Sequence, residues 1–310
     1  MSDWSSSDWS SLYPFASHFM DVGEGVRCHY VDENSDATER SPLLMVHGNP
    51  TWSFYWRNVI EGFRDRHRCV AIDHVGCGLS DKPQQYEYNL GRHTANLVQL
   101  IDRLDLRDVT LLVHDWGGAI GLGAVVQRPD RFAHLVVFNT GAFPPPFVPL
   151  RIRVCRTPWL GALAVRGANA FARAALTMAV AAKRLDPDVR AGLLHPYDNW
   201  ANRVAINAFV RDIPFTPRHP TWRVLAELEN DLKQLTTPAS LVWGMRDWCF
   251  NPSCLRRFQE ILPHAQSHRI ESAGHYVVED AIEQIMPIVG DVLASDEVDE
   301  PSAAAEDRGR

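Results

Sequence analysis

The sequence predicts an α/β fold: a mainly parallel twisted sheet flanked by helices on both faces, with one helical cap inserted in it. Three observations carry this. Short apolar runs recur along the chain, helix-like stretches separate most of them, and the alternation stops once, between about residues 142 and 220. Strands that alternate with helices cannot pair as hairpins, so they lie parallel and bury both faces.

Residues 1–16 contain Ser-Ser-Ser and two Asp-Trp pairs without periodicity, and they read as a flexible N-terminus. The runs 18–22 and 26–31 flank Gly23-Glu24-Gly25 and read as a hairpin. Further strands are expected at 43–46, 69–72, 109–113, 135–138, 240–243 and 267–270, with helices at 90–104 and 119–127 among the connections. Pro144-Pro145-Pro146 opens the interrupting stretch, and Pro214, Pro217 and Pro220 close it. This stretch is helical, Ala-rich and Arg-bearing. Its longest apolar part, 160–185, is broken by Arg166, Arg173, Lys183 and Arg184, so it reads as a cap helix and not as a membrane span, which needs about 18 nearly uncharged residues. The domain reading is therefore a core at 17–141 and 221–294, a cap at 142–220, and a disordered acidic tail at 295–310.

Apolar residues make up 45% of the 310, enough to bury the core of one large domain. A formal charge of -7 without Lys/Arg blocks argues against nucleic acid as a partner. The six cysteines are scattered with no C-x-x-C pair, and no secretory leader opens the sequence, so they read as reduced thiols of a cytoplasmic protein. Scattered His and Cys residues lack metal-ligand spacing, and Gly76-Cys77-Gly78 lacks the third glycine of a phosphate-binding loop; no cofactor or metal is expected. The apolar excess of the cap could feed a homo-oligomer or lipid contact.

The chemistry-bearing segment is Val113-His114-Asp115-Trp116-Gly117-Gly118. It runs from an expected strand into an expected helix, so Asp115 sits at the elbow where a serine hydrolase carries its nucleophile. A serine that attacked saturated carbon would end as an ether, which water does not readily cleave. A carboxylate forms an ester whose carbonyl water can attack, so aspartate suits displacement at sp³ carbon. An esterified aspartate then needs a base and a group to orient it, in the chain order nucleophile, acid, histidine. Asp247 in Gly244-Met245-Arg246-Asp247 and His275 in Ala273-Gly274-His275-Tyr276 each follow an expected strand, at the sheet edge where sites form. Taken singly, Asp247 also reads as a turn or cap residue and His275 as one of 13 histidines; the order and placement together assign Asp247 as the acid and His275 as the base.

His47-Gly48-Asn49-Pro50 follows the strand at 43–46, where such a fold forms an oxyanion hole. The Asn49 amide and the Trp116 indole N–H are two donors able to hold a departing anion, each hydrogen bond to a charged group being worth about 1.5–3 kcal/mol. Phe54, Phe143, Trp200, Phe209, Phe215 and Phe250 are candidates for lining an apolar pocket, although aromatics in such segments also pack cores.

His-Gly-Asn-Pro-Thr-Trp, Val-His-Asp-Trp-Gly-Gly, Gly-Met-Arg-Asp and Ala-Gly-His-Tyr together resemble the haloalkane dehalogenases of the α/β-hydrolase superfamily, from about residue 24 to 290. The resemblance implies that Asp115 displaces halide, that water activated by His275 hydrolyses the alkyl-enzyme ester, and that Asn49 and Trp116 hold the halide product. It implies a small apolar substrate, water and no cofactor. Some subfamilies place the acid after the strand preceding the cap, but Phe138-Asn139-Thr140 offers no carboxylate, which leaves Asp247. Epoxide hydrolases share His-Asp-Trp-Gly but use two cap tyrosines, and Tyr197 alone lies in this cap; fluoroacetate dehalogenases carry Arg where Trp116 stands.

The β-lactone decarboxylases of bacterial olefin biosynthesis share the triad and the Asn/Trp pair, and are similar to the third dehalogenase subfamily. The stretch from Phe138 to Phe143, Pro149 to Arg156, and Leu160-Gly-Ala-Leu163 resembles both groups. The leading expectation is hydrolytic dehalogenation. The alternatives are lactone decarboxylation, which an apolar cap suits, then epoxide hydrolysis, then a non-catalytic assembly protein.

Overall fold

The computed structural model describes residues 8–37 and 40–298. Eight strands, β1 (Ser17–Asp21), β2 (Arg27–Glu33), β3 (Leu43–Val46), β4 (Cys69–Ile72), β5 (Val109–Asp115), β6 (Phe132–Thr140), β7 (Ala239–Gly244) and β8 (Gln266–Ile270), form one sheet in the order β1-β2-β4-β3-β5-β6-β7-β8. The pairs β1–β2 and β2–β4 are antiparallel, and every later pair is parallel. Apolar runs without alternation, as in β3, β4 and β5, become the central strands because both of their faces are covered. All seven residues of β5 are buried. Burying one aliphatic side chain there contributes about 1.5–3 kcal/mol, so the elbow at the end of β5 stands on a firmly anchored strand.

Helices α1 (Arg57–Phe63), α2 (Leu90–Arg103) and α3 (Trp116–Gln127) connect the first strands. The cap between β6 and β7 contains α4 (Leu150–Cys155), α5 (Leu160–Ala162), α6 (Ala170–Met178), α7 (Pro187–Leu194) and α8 (Val204–Asp212). It is followed by α9 (Pro220–Leu232), which packs on α2 and α3, then α10 (Pro252–Ile261) and α11 (Val277–Val298). The core forms two apolar clusters. Leu111, Val113, Leu135 and Trp243 belong to one, and Leu112, Val136, Phe138 and Val242 to the other. The alternation of these neighbours along β5, β6 and β7 is the period-two geometry of strands between two layers.

The ends differ from the sequence-based expectation of mobile termini. Residues Trp9–Leu12 form a 3₁₀ turn, Trp9 meets Trp52 and Phe54 edge-on, and Tyr13 is buried beside them. The aromatics of this segment carry it onto the core, although the segment has no periodicity to announce it. At the other end α11 runs through Val298, so the expected tail begins inside a helix; residues 1–7 and 299–310 lie outside the described residues. No helix among the described residues is long and apolar enough to cross a membrane. All six cysteines are free thiols.

Candidate active site

Strand β5 ends at Asp115, whose backbone adopts φ +52°, ψ -127° before α3 begins at Trp116. Side chains rarely occupy that region, and a strained residue there is held only by its surroundings. Here the Thr140 hydroxyl, from the neighbouring strand β6, donates to the Asp115 carbonyl, while Gly48 passes so close to the carboxylate that a Cβ on it would collide with Asp115. The chain is thereby forced to present the carboxylate into the space below the cap.

Asp115 Oδ1 accepts the Asn49 main-chain N–H at 2.6 Å, and the Trp116 N–H also stabilises the charged form. Two backbone donors thus converge on the carboxylate, one of them from the His47–Pro50 turn where an oxyanion hole is expected. Asp115 Oδ2 faces His275 Nε2 at 3.6 Å. The two carboxylate oxygens are thus unequal. Oδ2 is free to attack, and Oδ1 is held where an ester carbonyl would be polarised. Burial raises the Asp115 pKa, opposed by His275 and by the two N–H donors.

His275 Nδ1 lies 2.9 Å from Asp247 Oδ2, so Asp115, His275 and Asp247 stand in line, an arrangement with the geometry of the triad that the sequence order suggested. Asp247 is buried in the loop after β7, and its Oδ1 accepts the N–H groups of Cys249 and Phe250 at 2.6 and 3.1 Å. Burial disfavours the charged His275 ring, but the Asp247 charge, its hydrogen bond and the Asp115 charge outweigh it, so the pKa lies above the usual histidine value of 6.5. A step that needs the neutral ring as base should therefore slow as pH falls through a value above 6.5. On a substrate whose product requires ester hydrolysis, such as a haloalkane, the pH profile of turnover at saturating substrate checks this, and a profile flat through the neutral range contradicts it.

Two supporting residues escaped sequence reasoning. Asn139, at the end of β6, donates from Nδ2 to Asp247 Oδ2 at 3.0 Å and to the Gly244 carbonyl at 3.0 Å, and accepts the Gly244 N–H at 2.7 Å. It lies in Phe138-Asn139-Thr140, the stretch set aside in the sequence for want of a carboxylate, and that was its only signal. His114, directly before the nucleophile, shares a hydrogen bond of 2.8 Å from Nε2 to the His275 carbonyl oxygen. Burial first, and then the His275 charge, hold its pKa well below the usual value, so it is the neutral N–H donor to that carbonyl.

Because Asn139 reaches the carboxylate that orients His275, exchanging the two functions should be possible. Asp247→Asn alone is expected to lower turnover strongly, and adding Asn139→Asp is expected to restore at least about tenfold of the loss by returning a carboxylate to the same cluster. Steady-state kinetics of the single and double variants decide it; a double variant no better than Asp247→Asn removes Asn139 from the orienting role.

Asp115, His275, Asn49 and Trp116 all line one cavity of about 520 Å³ beneath the cap. One Asn49 side-chain N–H goes to the Ile206 carbonyl at 3.3 Å, which leaves its second N–H uncommitted, and Trp116 packs against Phe209. Of the six aromatics expected at the pocket, Phe143 and Phe250 line it. The other four lie elsewhere. Phe54 is fully buried against Trp52, Phe209 stacks on His93 behind Trp116, Phe215 lies under Arg153 and Arg156, and Trp200 is half exposed beneath Arg166. The walls come instead from Ile152, Phe171, Met178, Val210, Leu225 and Trp248, with Tyr276 beside the base. Tyr197 is buried away from the cavity, donating to the Thr51 carbonyl at 3.2 Å, so the cap offers no tyrosine acid of the epoxide-opening kind. Among the described residues no cluster of three or more His, Cys, Asp or Glu side chains is placed to hold a metal ion.

The profile of the alpha/beta hydrolase fold family matches residues 41–282. A cis-3-alkyl-4-alkyloxetan-2-one decarboxylase of Shewanella oneidensis is 38% identical over 283 residues, covering 89% of this chain and 87% of that protein. Haloalkane dehalogenase 2 of Mycobacterium tuberculosis is 33% identical over 277 residues, covering 88% and 93% respectively. Among solved structures, a haloalkane dehalogenase from Bradyrhizobium elkani superposes with a TM-score of 0.82 at 25% identity, covering 92% of this chain and 99% of that one.

Proposed function

The chain belongs to the alpha/beta hydrolase fold family, and from that premise we propose that it opens cis-3,4-dialkyl β-lactones on Asp115 and releases an alkene and carbon dioxide. The observation that carries this reading is the pairing of a carboxylate nucleophile, in place of serine, with a large and almost wholly apolar cavity. At about 520 Å³ the cavity lies within the range of about 300–1,000 Å³ typical of drug-sized ligands and far exceeds what a two-carbon halide fills. The 38% identity to a decarboxylase of such oxetanones supports the same substrate class.

In this mechanism Asp115 Oδ2 attacks the ring carbon that bears the ring oxygen. That carbon–oxygen bond breaks, and its electron pair leaves on the new carboxylate, a leaving group that the free N–H of Asn49 and the indole N–H of Trp116 can hold. The carboxylate then departs as carbon dioxide. Its carbon–carbon pair becomes the alkene bond, and the Asp115 oxygen is expelled with its own pair, so no water and no net proton are consumed. Inversion on attack followed by departure from the opposite face keeps the two alkyl groups cis. Strain in the four-membered ring drives the first step, and loss of carbon dioxide drives the second.

The Asn49 and Trp116 donors also favour a second reading, hydrolytic dehalogenation, because an anion expelled from carbon would meet the same two N–H groups. Incubation with a long-chain cis-β-lactone and, separately, with 1,2-dibromoethane separates the two. Alkene and carbon dioxide in equal amounts are expected from the first. Bromide release without any alkene would transfer the assignment to the second reading, and neither product would overturn both.

A further inference from the structure

The sequence from Arg131 to Leu185 contains seven Arg and one Lys and no Asp or Glu, in a chain whose formal net charge is -7. Part of this basic stretch also carries the largest apolar exposure among the described residues. Leu150 is 73% exposed, Trp159 87%, Leu160 65% and Leu163 60%, with Val154 half exposed between them. These residues lie side by side, because Gly161 in α5 packs directly on the Cys155 carbonyl at the end of α4, where a Cβ would not fit. Arg153 and Arg156 stand on the same short segment with their guanidinium groups over Phe215. Asp212, an acid whose charge reaches Arg156, is tied to the Thr221 hydroxyl and the Leu90 N–H, and Arg211 adds a further positive charge beside Arg156.

Helix α4 is apolar on two sides. Ile152 and Cys155 face the cavity, together with the preceding Phe147, Val148 and Pro149, while Leu150 and Val154 face outward. The cavity wall and the exposed patch are thus two faces of one thin layer.

We propose that this face, α4 with the Trp159 turn and α5, docks the protein on the surface of an anionic lipid bilayer. Aliphatic side chains and a tryptophan, set among arginines without intervening acids, match the interfacial zone: the apolar groups enter the headgroup boundary, the indole sits at headgroup level, and the guanidinium groups meet lipid phosphates. No helix among the described residues can span a bilayer, so the contact is peripheral. Docking stands on the surface alone. Its consequence, that a water-insoluble dialkyl lactone passes from the lipid through the cap wall to Asp115, rests on the function proposed above.

Vesicle flotation of the full chain tests this without any turnover. The protein should float with phosphatidylcholine vesicles containing phosphatidylglycerol, should float far less with phosphatidylcholine alone, and should be released by salt that screens the charges. The triple variant Trp159→Ala, Leu160→Ser, Leu163→Ser and the single variant Arg153→Glu should each lower partitioning by roughly tenfold or more, with unchanged circular dichroism and melting. No flotation with the anionic vesicles, equal flotation with both vesicle types, or variants that float like the parent would overturn the proposal. So would light scattering that showed a parent oligomer, indifferent to vesicles, which the triple variant dissolves into monomers, because the face would then be covered by a second copy. Flotation without lactone turnover would keep the docking surface and remove the substrate reading.

Discussion

Asp115→Ala is expected to lower turnover by at least about 10⁴-fold on either substrate class, since both routes begin with the same covalent bond and no neighbouring side chain can replace the attacking oxygen. The fold should survive. Burial raises the Asp115 pKa, which means that the native structure bears a cost for holding this carboxylate charged. Removing it should leave the melting temperature no lower than the parent's, as happens where a site is strained for function. A large fall in melting temperature would indicate that the elbow needs the carboxylate structurally, and residual turnover within tenfold of the parent would refute the nucleophile assignment. The parent enzyme can be questioned further with heavy-oxygen water under single-turnover conditions. Ester hydrolysis must leave one solvent oxygen in the Asp115 carboxylate, whereas decarboxylative expulsion frees the same carboxylate with its original oxygens. Labelling that accompanies bromide release but not alkene formation is the expected pattern.

His275→Phe should divide the two chemistries. With a haloalkane, Oδ2 can still attack, because the ring of His275 lies 3.6 Å away and is not needed to deprotonate a carboxylate. The resulting ester has lost its base, so one equivalent of halide should appear, followed by arrest and an alkyl adduct on Asp115 visible by mass spectrometry. With a β-lactone the adduct can leave by losing carbon dioxide, so alkene should continue to form over many turnovers, more slowly for want of the imidazole 3.6 Å from the expelled Asp115 carboxylate. Arrest with a stable adduct on the lactone as well would mean that expulsion needs water or the base, and the elimination step would have to be abandoned.

Much of the scaffold was legible in the residues. Strands Leu43–Val46 and Cys69–Ile72 have the bounds expected from their apolar runs, since a strand covered on both faces reads as an uninterrupted apolar word. Strand β6 was legible only in its middle. It continues through Asn139 and Thr140, whose polar side chains broke the pattern because they face the site, where one holds Asp247 and the other the Asp115 carbonyl. The pocket aromatics were the least legible group: an aromatic ring gains from burial anywhere, and nothing local in the sequence says whether Phe54 closes a cavity or fills the core.

What the sequence determined by itself was the placement of the candidate groups: a carboxylate at a strand-to-helix elbow, with an acid and a histidine after later strands, follows from spacing along the chain, and bond reactivity then limits the chemistry such a set could perform. Tertiary structure alone decided how these groups are used. The inequality of the two Asp115 oxygens, the Asn139 bracket on Asp247, the size of the cavity and the single layer that separates it from an exposed basic and apolar face all arise where segments distant in sequence are pressed together. Packing and desolvation act on distances in space, which one-dimensional spacing does not contain.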